Sequence, residues 1–261
     1  MGALFVCLWI YFPGMPSAQA SQTCASTRFD EIATVARVTD GDTLRLQDGR
    51  AVRLIGINAP ELGHDDRPAE PMAKQARDAL KAMLGRGARV GLQYGREKHD
   101  RYRRLLAHVY LPGGESVQAR LLVSGMVAQI VVPPNLGRLA CYRKAEQQAR
   151  KGGKGVWRGI YRAIPVESLG PNSRGFKRIT GRISRIGESR KSVWLNFTGP
   201  DGDYAGEQVA VRIARHDLPL FTSWQPQSLA GKKVVVRGWL TAYRRQLVMR
   251  VRHPAGIEIV R

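Results

Sequence analysis

Apolar and polar residues alternate from Thr34 to Thr39 and again from Thr43 to Gln47, with Asp40-Gly41-Asp42 between the two runs. Period-two alternation on either side of an Asp/Gly turn predicts an antiparallel hairpin with one buried face. A second turn at Asp48-Gly49 leads into a third strand over 51–57, which stops at Pro60. Next, Met72, Ala73, Ala76, Ala79, Leu80 and Met83 recur at helical spacing, so 70–84 is predicted as a helix ended by Gly85 and Gly87. Strands are predicted at 89–94 and 105–111, then helices at 116–124 and 139–151. Three strands, a helix, two strands and further helices are the order of a five-stranded OB-type barrel with helical additions.

Between 162 and 175 the chain is rich in breakers, with Pro165, Gly170, Pro171, Asn172, Ser173 and Gly175, and reads as a linker. Alternation then resumes. Strands are predicted at 179–186, 192–198 and 207–215, a short helical segment at 217–224, and strands at 232–240 and 246–252. The repeated order predicts a second, smaller OB barrel. The expected fold is therefore mainly β with α: two OB-fold five-stranded barrels, the first over 33–161 with extra helices, the second over 176–261.

The first twenty residues fit neither barrel. They carry no charge, hold an apolar run from Ala3 to Phe12, and end Ser17-Ala18-Gln19-Ala20. Such a run is too short to span a bilayer, and small residues at Ala18 and Ala20 suit signal cleavage. A signal peptide over 1–20 and a periplasmic or secreted mature protein without stable membrane association are expected. An uncleaved membrane anchor is the alternative. Cleavage removes Cys7 and leaves Cys24 and Cys141, a pair expected to form a disulfide in an oxidising compartment, with two unpaired thiols as the alternative.

Charge narrows the choice of partner. The chain holds 42 Lys and Arg against 21 Asp and Glu, a formal net charge of +21, and the excess is shared by both halves. A polyanion is the expected partner, and affinity resting on phosphate contacts falls steeply with salt. The pattern does not fix the oligomeric state.

Three separated blocks carry the candidate chemistry: Val38-Thr39-Asp40-Gly41-Asp42-Thr43, the run from Arg53 through Pro60-Glu61, and Asp100-Arg101-Tyr102-Arg103-Arg104. In order and spacing they resemble the staphylococcal-nuclease (thermonuclease) family over about residues 33–161. The resemblance implies a calcium-dependent endonuclease that cuts DNA and RNA to 3′-phosphates. It assigns Arg53 and Arg104 as catalytic arginines and Glu61 as general base. It makes Asp42 a metal ligand and Asp40 an outer-shell acid. Asn58 stands where the family usually has a second metal-binding aspartate, with the Ala59 carbonyl as a further ligand. Arg101 and Tyr102 are expected to contact nucleic acid, although a tyrosine before a strand also suits core packing. Val131 and Pro133 replace two base-flanking tyrosines of the staphylococcal enzyme, which shifts expected contacts towards the substrate backbone and the second barrel.

These roles suit the residue types. A carboxylate can orient and deprotonate water, a planar guanidinium clamps phosphate oxygens, and hard oxygens suit Ca²⁺. The second barrel lacks the acid constellation and reads as a nucleic-acid-binding unit. Its Tyr243-Arg244-Arg245 echoes Tyr102-Arg103-Arg104, and Trp194, Phe197 and Tyr204 are further stacking candidates, against the ordinary reading that strand aromatics fill cores. A catalytically silent nucleic-acid-binding protein, disabled at Asn58, is the rival reading.

Overall fold

The computed structural model describes residues 24–63, 68–197, 209–243 and 246–260. The expected signal peptide over 1–20, together with Tyr204, Arg244 and Arg245, lies outside the described residues.

Strands β1 (Glu31–Val38), β2 (Thr43–Leu46), β3 (Ala51–Leu54), β5 (Arg89–His99) and β6 (Leu105–Tyr110) close into a barrel in the order β1-β2-β3-β6-β5. The short strands β4 (Ile57–Asn58) and β7 (Ala128–Gln129) pair with each other beside it. Alternation drives this closure. Val35, Leu44, Leu46, Val52, Leu54, Leu92 and Val109 point inward and are almost wholly buried. Helices α1 (Ala73–Met83), α2 (Val117–Val123) and α3 (Leu139–Lys151) cover the barrel through Ala76, Leu80, Leu121, Leu122 and Tyr142.

The third strand ends at Leu54, short of the predicted Ile57, because the chain turns at Gly56 in the left-handed region (φ 81°). A Cβ there would also sit 2.9 Å from the Tyr142 ring. Helix α1 begins at Ala73, since Met72 before it is itself left-handed (φ 71°), and residues 70–72 form its approach.

The second barrel repeats the order. Strands β9 (Gly175–Glu188), β10 (Ser192–Phe197), β11 (Val209–Ala214), β13 (Gln246–Arg250) and β12 (Lys233–Tyr243) form a ring closed by the β12–β9 pairing. In both barrels the third and fifth strands run parallel, β3 with β6 and β11 with β13. Much of the expected linker is structured. Strand β8 (Ile164–Pro165) pairs with β9, and Val166 and Leu169 enter the second core. A run of breakers therefore marks a change of direction here without marking a loose tether. The segment over 217–224 contributes a 3₁₀ turn, Arg215–Leu220, followed by Phe221 packed in the core.

The barrels are held together by an apolar cluster and an ionic one. Trp157, Tyr161 and Phe176 pack edge to face, with Ala128, Ala149 and Val156 around them. Beside them Arg237 donates to both oxygens of buried Glu146 at 2.8 Å and to Glu258 at 2.6 Å, while Arg150 makes a two-pronged bond to Glu258 at 2.9 Å. Burial alone would raise the Glu258 carboxyl, but the bonds and charges of Arg150 and Arg237 hold it down to about 2. Removing one partner of such a buried set costs about 3–5 kcal/mol, because the other charge is left unpaired.

Cys24 and Cys141 are joined, their Cα atoms 5.6 Å apart, and the bridge fixes the start of the described chain to α3. No helix among the described residues is long and apolar enough to cross a membrane.

One buried group gives the first barrel a pH dependence. His108 meets the Tyr142 hydroxyl through Nδ1 at 2.8 Å, and burial, reinforced by the Arg138 charge, lowers it to about 4. The folded state thus resists a proton that the unfolded chain accepts near pH 6.5. Stability from this group is complete above about pH 6.5 and lost as pH falls towards about 4, up to about 3 kcal/mol. Thermal unfolding at pH 7.5 and 4.5 should show a larger drop for the wild type than for His108→Gln; equal drops would remove His108 as the source.

Candidate active site

Close approach at Gly41 builds the site. A Cβ on Gly41 would fall 2.6 Å from that of Ala59 and 2.7 Å from that of Ala76, so only glycine lets the Asp40–Asp42 turn lie against α1 and the 57–60 segment. Asp42 then reaches both sides. Its Oδ1 accepts from Thr43 Oγ1 at 3.1 Å, and its Oδ2 accepts from the Ala59 backbone N–H at 2.8 Å and lies 3.0 Å from Arg53 Nη2.

Strand register brings in the arginines. Thr43 pairs with Arg53 across β2 and β3, and Arg53 pairs with Leu106 across β3 and β6, so the turn preceding β6 stands over the same end of the barrel. Arg104, in that turn, reaches Thr43 Oγ1 at 3.4 Å. Asp100 holds it in place. Its Oδ1 accepts from the backbone N–H groups of Tyr102 and Arg104, and its Oδ2 takes Arg104 Nε at 2.8 Å. Burial would raise the Asp100 carboxyl, yet the bonds and charge of Arg104 keep it below its ordinary value. Asp100 is a positioning residue that motif matching left without a role; its signal was the Asp that opens a tight turn four residues ahead of a basic one.

Glu61 stands on the rim just beyond Pro60. Desolvation there, then the charges of Asp42 and Glu70, raise its carboxyl against the opposing pull of Arg53 and Arg104. All four charges therefore act on one carboxylate, and the raised value suits a proton acceptor. Glu70, a second residue not singled out from the sequence, accepts from the Glu61 backbone N–H at 2.9 Å and lies 3.9 Å from Lys177 of the second barrel.

The residues expected to hold a metal divide into two groups. Asp40 and Asp42 are adjacent, and burial together with the Asp42 charge raises the Asp40 carboxyl to about 7. A hard cation relieves such crowding, and an oxygen-only donor set fits Ca²⁺. Asn58 and Ala59 form the other group. The buried Asn58 amide nitrogen donates to the Ala59 carbonyl at 3.1 Å and meets the Tyr161 hydroxyl at 3.5 Å. The Asn58 amide nitrogen thus occupies another expected ligand atom, the Ala59 carbonyl oxygen, and no cluster of three His, Cys, Asp or Glu groups that could hold a metal ion occurs among the described residues. The donor set fits a calcium-class ion with few anionic ligands.

Tyr102 is 64% exposed, which excludes the core reading, and Arg101 and Arg104 flank its ring at 4.7 and 5.5 Å from the centroid. Arg53, Asp100, Tyr102 and Arg104 open onto a cleft of about 1050 Å³ whose far wall belongs to the second barrel and includes Tyr243. Phe197, one of the stacking candidates, is buried in the second core and faces no solvent.

Residues 51–159 match the family model described as staphylococcal nuclease homologue. Among known proteins, the thermonuclease of Staphylococcus intermedius is 36% identical over 126 residues, covering 47% of this chain and 74% of that protein. The thermonuclease of Staphylococcus hyicus is 35% identical over 126 residues, 47% of this chain and 73% of that one. Endonuclease YncB of Bacillus subtilis is 30% identical over 129 residues, 48% of this chain and 60% of that protein. The family-model match ends ahead of β8.

Proposed function

Since the chain belongs to the staphylococcal nuclease family, a family of nucleases, we propose that it is an exported, metal-dependent endonuclease that cleaves DNA or RNA to 3′-phosphate ends. The observation that carries this reading is the convergence of Arg53, Arg104 and Glu61 around Asp42 at one end of the first barrel. Glu61 orients a water molecule and takes its proton as the water oxygen bonds to phosphorus. The P–O5′ bond breaks, the phosphate stays on the 3′ side, and the departing 5′-oxygen acquires a proton. Arg53 and Arg104 bind the non-bridging oxygens, whose charge grows in the transition state. Asp42, the Asn58 side-chain oxygen and the Ala59 carbonyl, with Asp40 in the outer shell, would hold the cation, which would supply Lewis-acid polarisation of the phosphate. Export is supported by the paired cysteines and by the apolar run from Ala3 to Phe12 followed by Ser17-Ala18-Gln19-Ala20.

Cleavage of plasmid and of single-stranded RNA with Ca²⁺, Mg²⁺, Mn²⁺ or chelator tests the reading. The expected result is cleavage in Ca²⁺, none in chelator, and ends that a polymerase extends only after phosphatase treatment. Full activity in chelator would overturn the metal requirement, and inertness in every metal would favour the silent binding protein.

The Asn58–Ala59 contact favours that rival enough to warrant its own experiment. Asn58→Asp removes the donor that occupies the Ala59 carbonyl and adds a hard anionic ligand, so half-saturation by calcium should fall about tenfold. In chelator the same variant should melt below wild type, because the new carboxylate is buried against the Ala59 carbonyl oxygen; in calcium the order should reverse. Calcium titrations of turnover and of Tm measure both effects. A variant that gains activity from an inert parent would identify the parent as the silent form.

A further inference from the structure

The outer face of the second barrel combines aromatic rings with unbalanced positive charge, and it forms the far wall of the cleft that opens at Arg53 and Arg104. Alternation along β12 sets Arg237, Trp239, Thr241 and Tyr243 outward. Arg237 is used in the joint between the barrels, so the strand leaves that joint and carries Trp239 and Tyr243 along the cleft, about 13 Å apart at strand rise. They are 40% and 53% exposed. Across the sheet, Trp194 pairs with Arg212 on β11, and Arg212 with Arg250 on β13, so an aromatic ring and two guanidinium groups form one cross-strand row. Arg212 lies 5.8 Å from the Trp194 ring centroid and donates to Ser192 Oγ at 2.7 Å; among the described residues it has no carboxylate partner. Arg250 is shared with Asp217 at 3.3 Å.

On the opposite wall stand exposed Tyr102 and the phosphate-binding arginines, while the wall near Val131 and Val132 offers no ring. Base-stacking capacity is thus concentrated on the second barrel and phosphate-binding capacity on the first. Rings stack only on base faces that a duplex hides within its own column, whereas phosphates are offered by single and double strands alike.

We propose that the cleft between the barrels is a single-strand polynucleotide groove, in which Trp194, Trp239 and Tyr243 stack unpaired bases of a strand whose phosphate is held by Arg53 and Arg104. This rests on the nucleic-acid reading of the first barrel. It adds a preference for unpaired strands and a footprint that spans both barrels.

The test uses the full chain in chelator, where binding is read apart from cleavage, with a fluorescein-labelled oligothymidylate of about 20 nucleotides and a blunt duplex of equal length. Anisotropy should show the single strand binding at least about tenfold tighter than the duplex. Trp194→Ala and Tyr243→Ala should each weaken the single strand about tenfold, equal to about 1.4 kcal/mol, and Trp194→Phe should restore most of that loss. Thermal melts of each variant separate lost stacking from lost folding. Equal affinity for duplex, or alanine variants that fold and bind like wild type, would overturn the proposal. So would a loss on Arg212→Ala without one on Trp194→Ala, since that is the behaviour of a phosphate patch. Cleavage in calcium by variants that bind normally would leave the nuclease reading standing while this one fails. Tight, ring-dependent binding by a protein inert in every metal would do the reverse.

Discussion

Glu61→Gln is expected to lower kcat by about 10³-fold while Tm stays within the scatter of repeat measurements. Glu61 is an exposed residue of the rim whose carboxylate is partly desolvated among Asp42, Glu70, Arg53 and Arg104, so the substitution removes proton acceptance and little of the packing. The arginines need more care. Arg53 is nearly buried against Asp42, and Arg53→Ala would leave that carboxylate uncompensated, mixing a catalytic loss with a folding one. Arg53→Lys keeps the charge and gives up the planar fork, so a fall of about 10²-fold in kcat with a folded protein isolates transition-state binding. Asp100→Asn should reduce kcat less than Arg104→Ala does, since Arg104 remains but is no longer clamped at Nε. Single-turnover rates on one oligonucleotide, measured beside melts for all four variants, decide the matter. Wild-type turnover in Glu61→Gln would remove it as the base.

Reduction of the Cys24–Cys141 bridge is expected to cost about 4–5 kcal/mol on the chain-entropy account, the loop it closes being 117 residues long. Cys24 is wholly buried in the first core, so reduction also frees the 24–30 segment to leave the barrel edge, where Ser26 and Asp30 bond to Gly114 and Leu92. Denaturant melts with and without reductant, and of a Cys24→Ala/Cys141→Ser double variant, measure the effect. Midpoints that agree within about 0.5 kcal/mol would show that the bridge contributes nothing, and two alkylatable thiols in protein recovered without reductant would show that it does not form.

Both barrels were legible in the sequence because each strand has one wet and one dry face, and alternation records that directly. Alternation does not record what the dry face packs against. The break at Gly56 was invisible, since Ile55 and Ile57 continue an apolar pattern through a left-handed turn. Asp42, Arg53 and Arg104 could be named from short blocks, and strand register sets them side by side. Asp100 stood within one of those blocks and Glu70 outside them, but neither had a role there, because their work is to hold other residues, which motif matching does not register. Least legible was the joint between the barrels. Glu146 and Arg237 are 91 residues apart in sequence, and each reads alone as an ordinary solvated charge.

That joint means the two halves are not interchangeable parts. Cutting the chain near residue 175 would strip Phe176 from Tyr161 and take Arg237 and Glu258 away from Glu146 and Arg150. A sticky aromatic patch would remain, and the tyrosine that touches Asn58 would lose its backing. An isolated first barrel would therefore report on a damaged protein, and any history in which the second barrel was acquired late must also account for a first barrel since remodelled to depend on it.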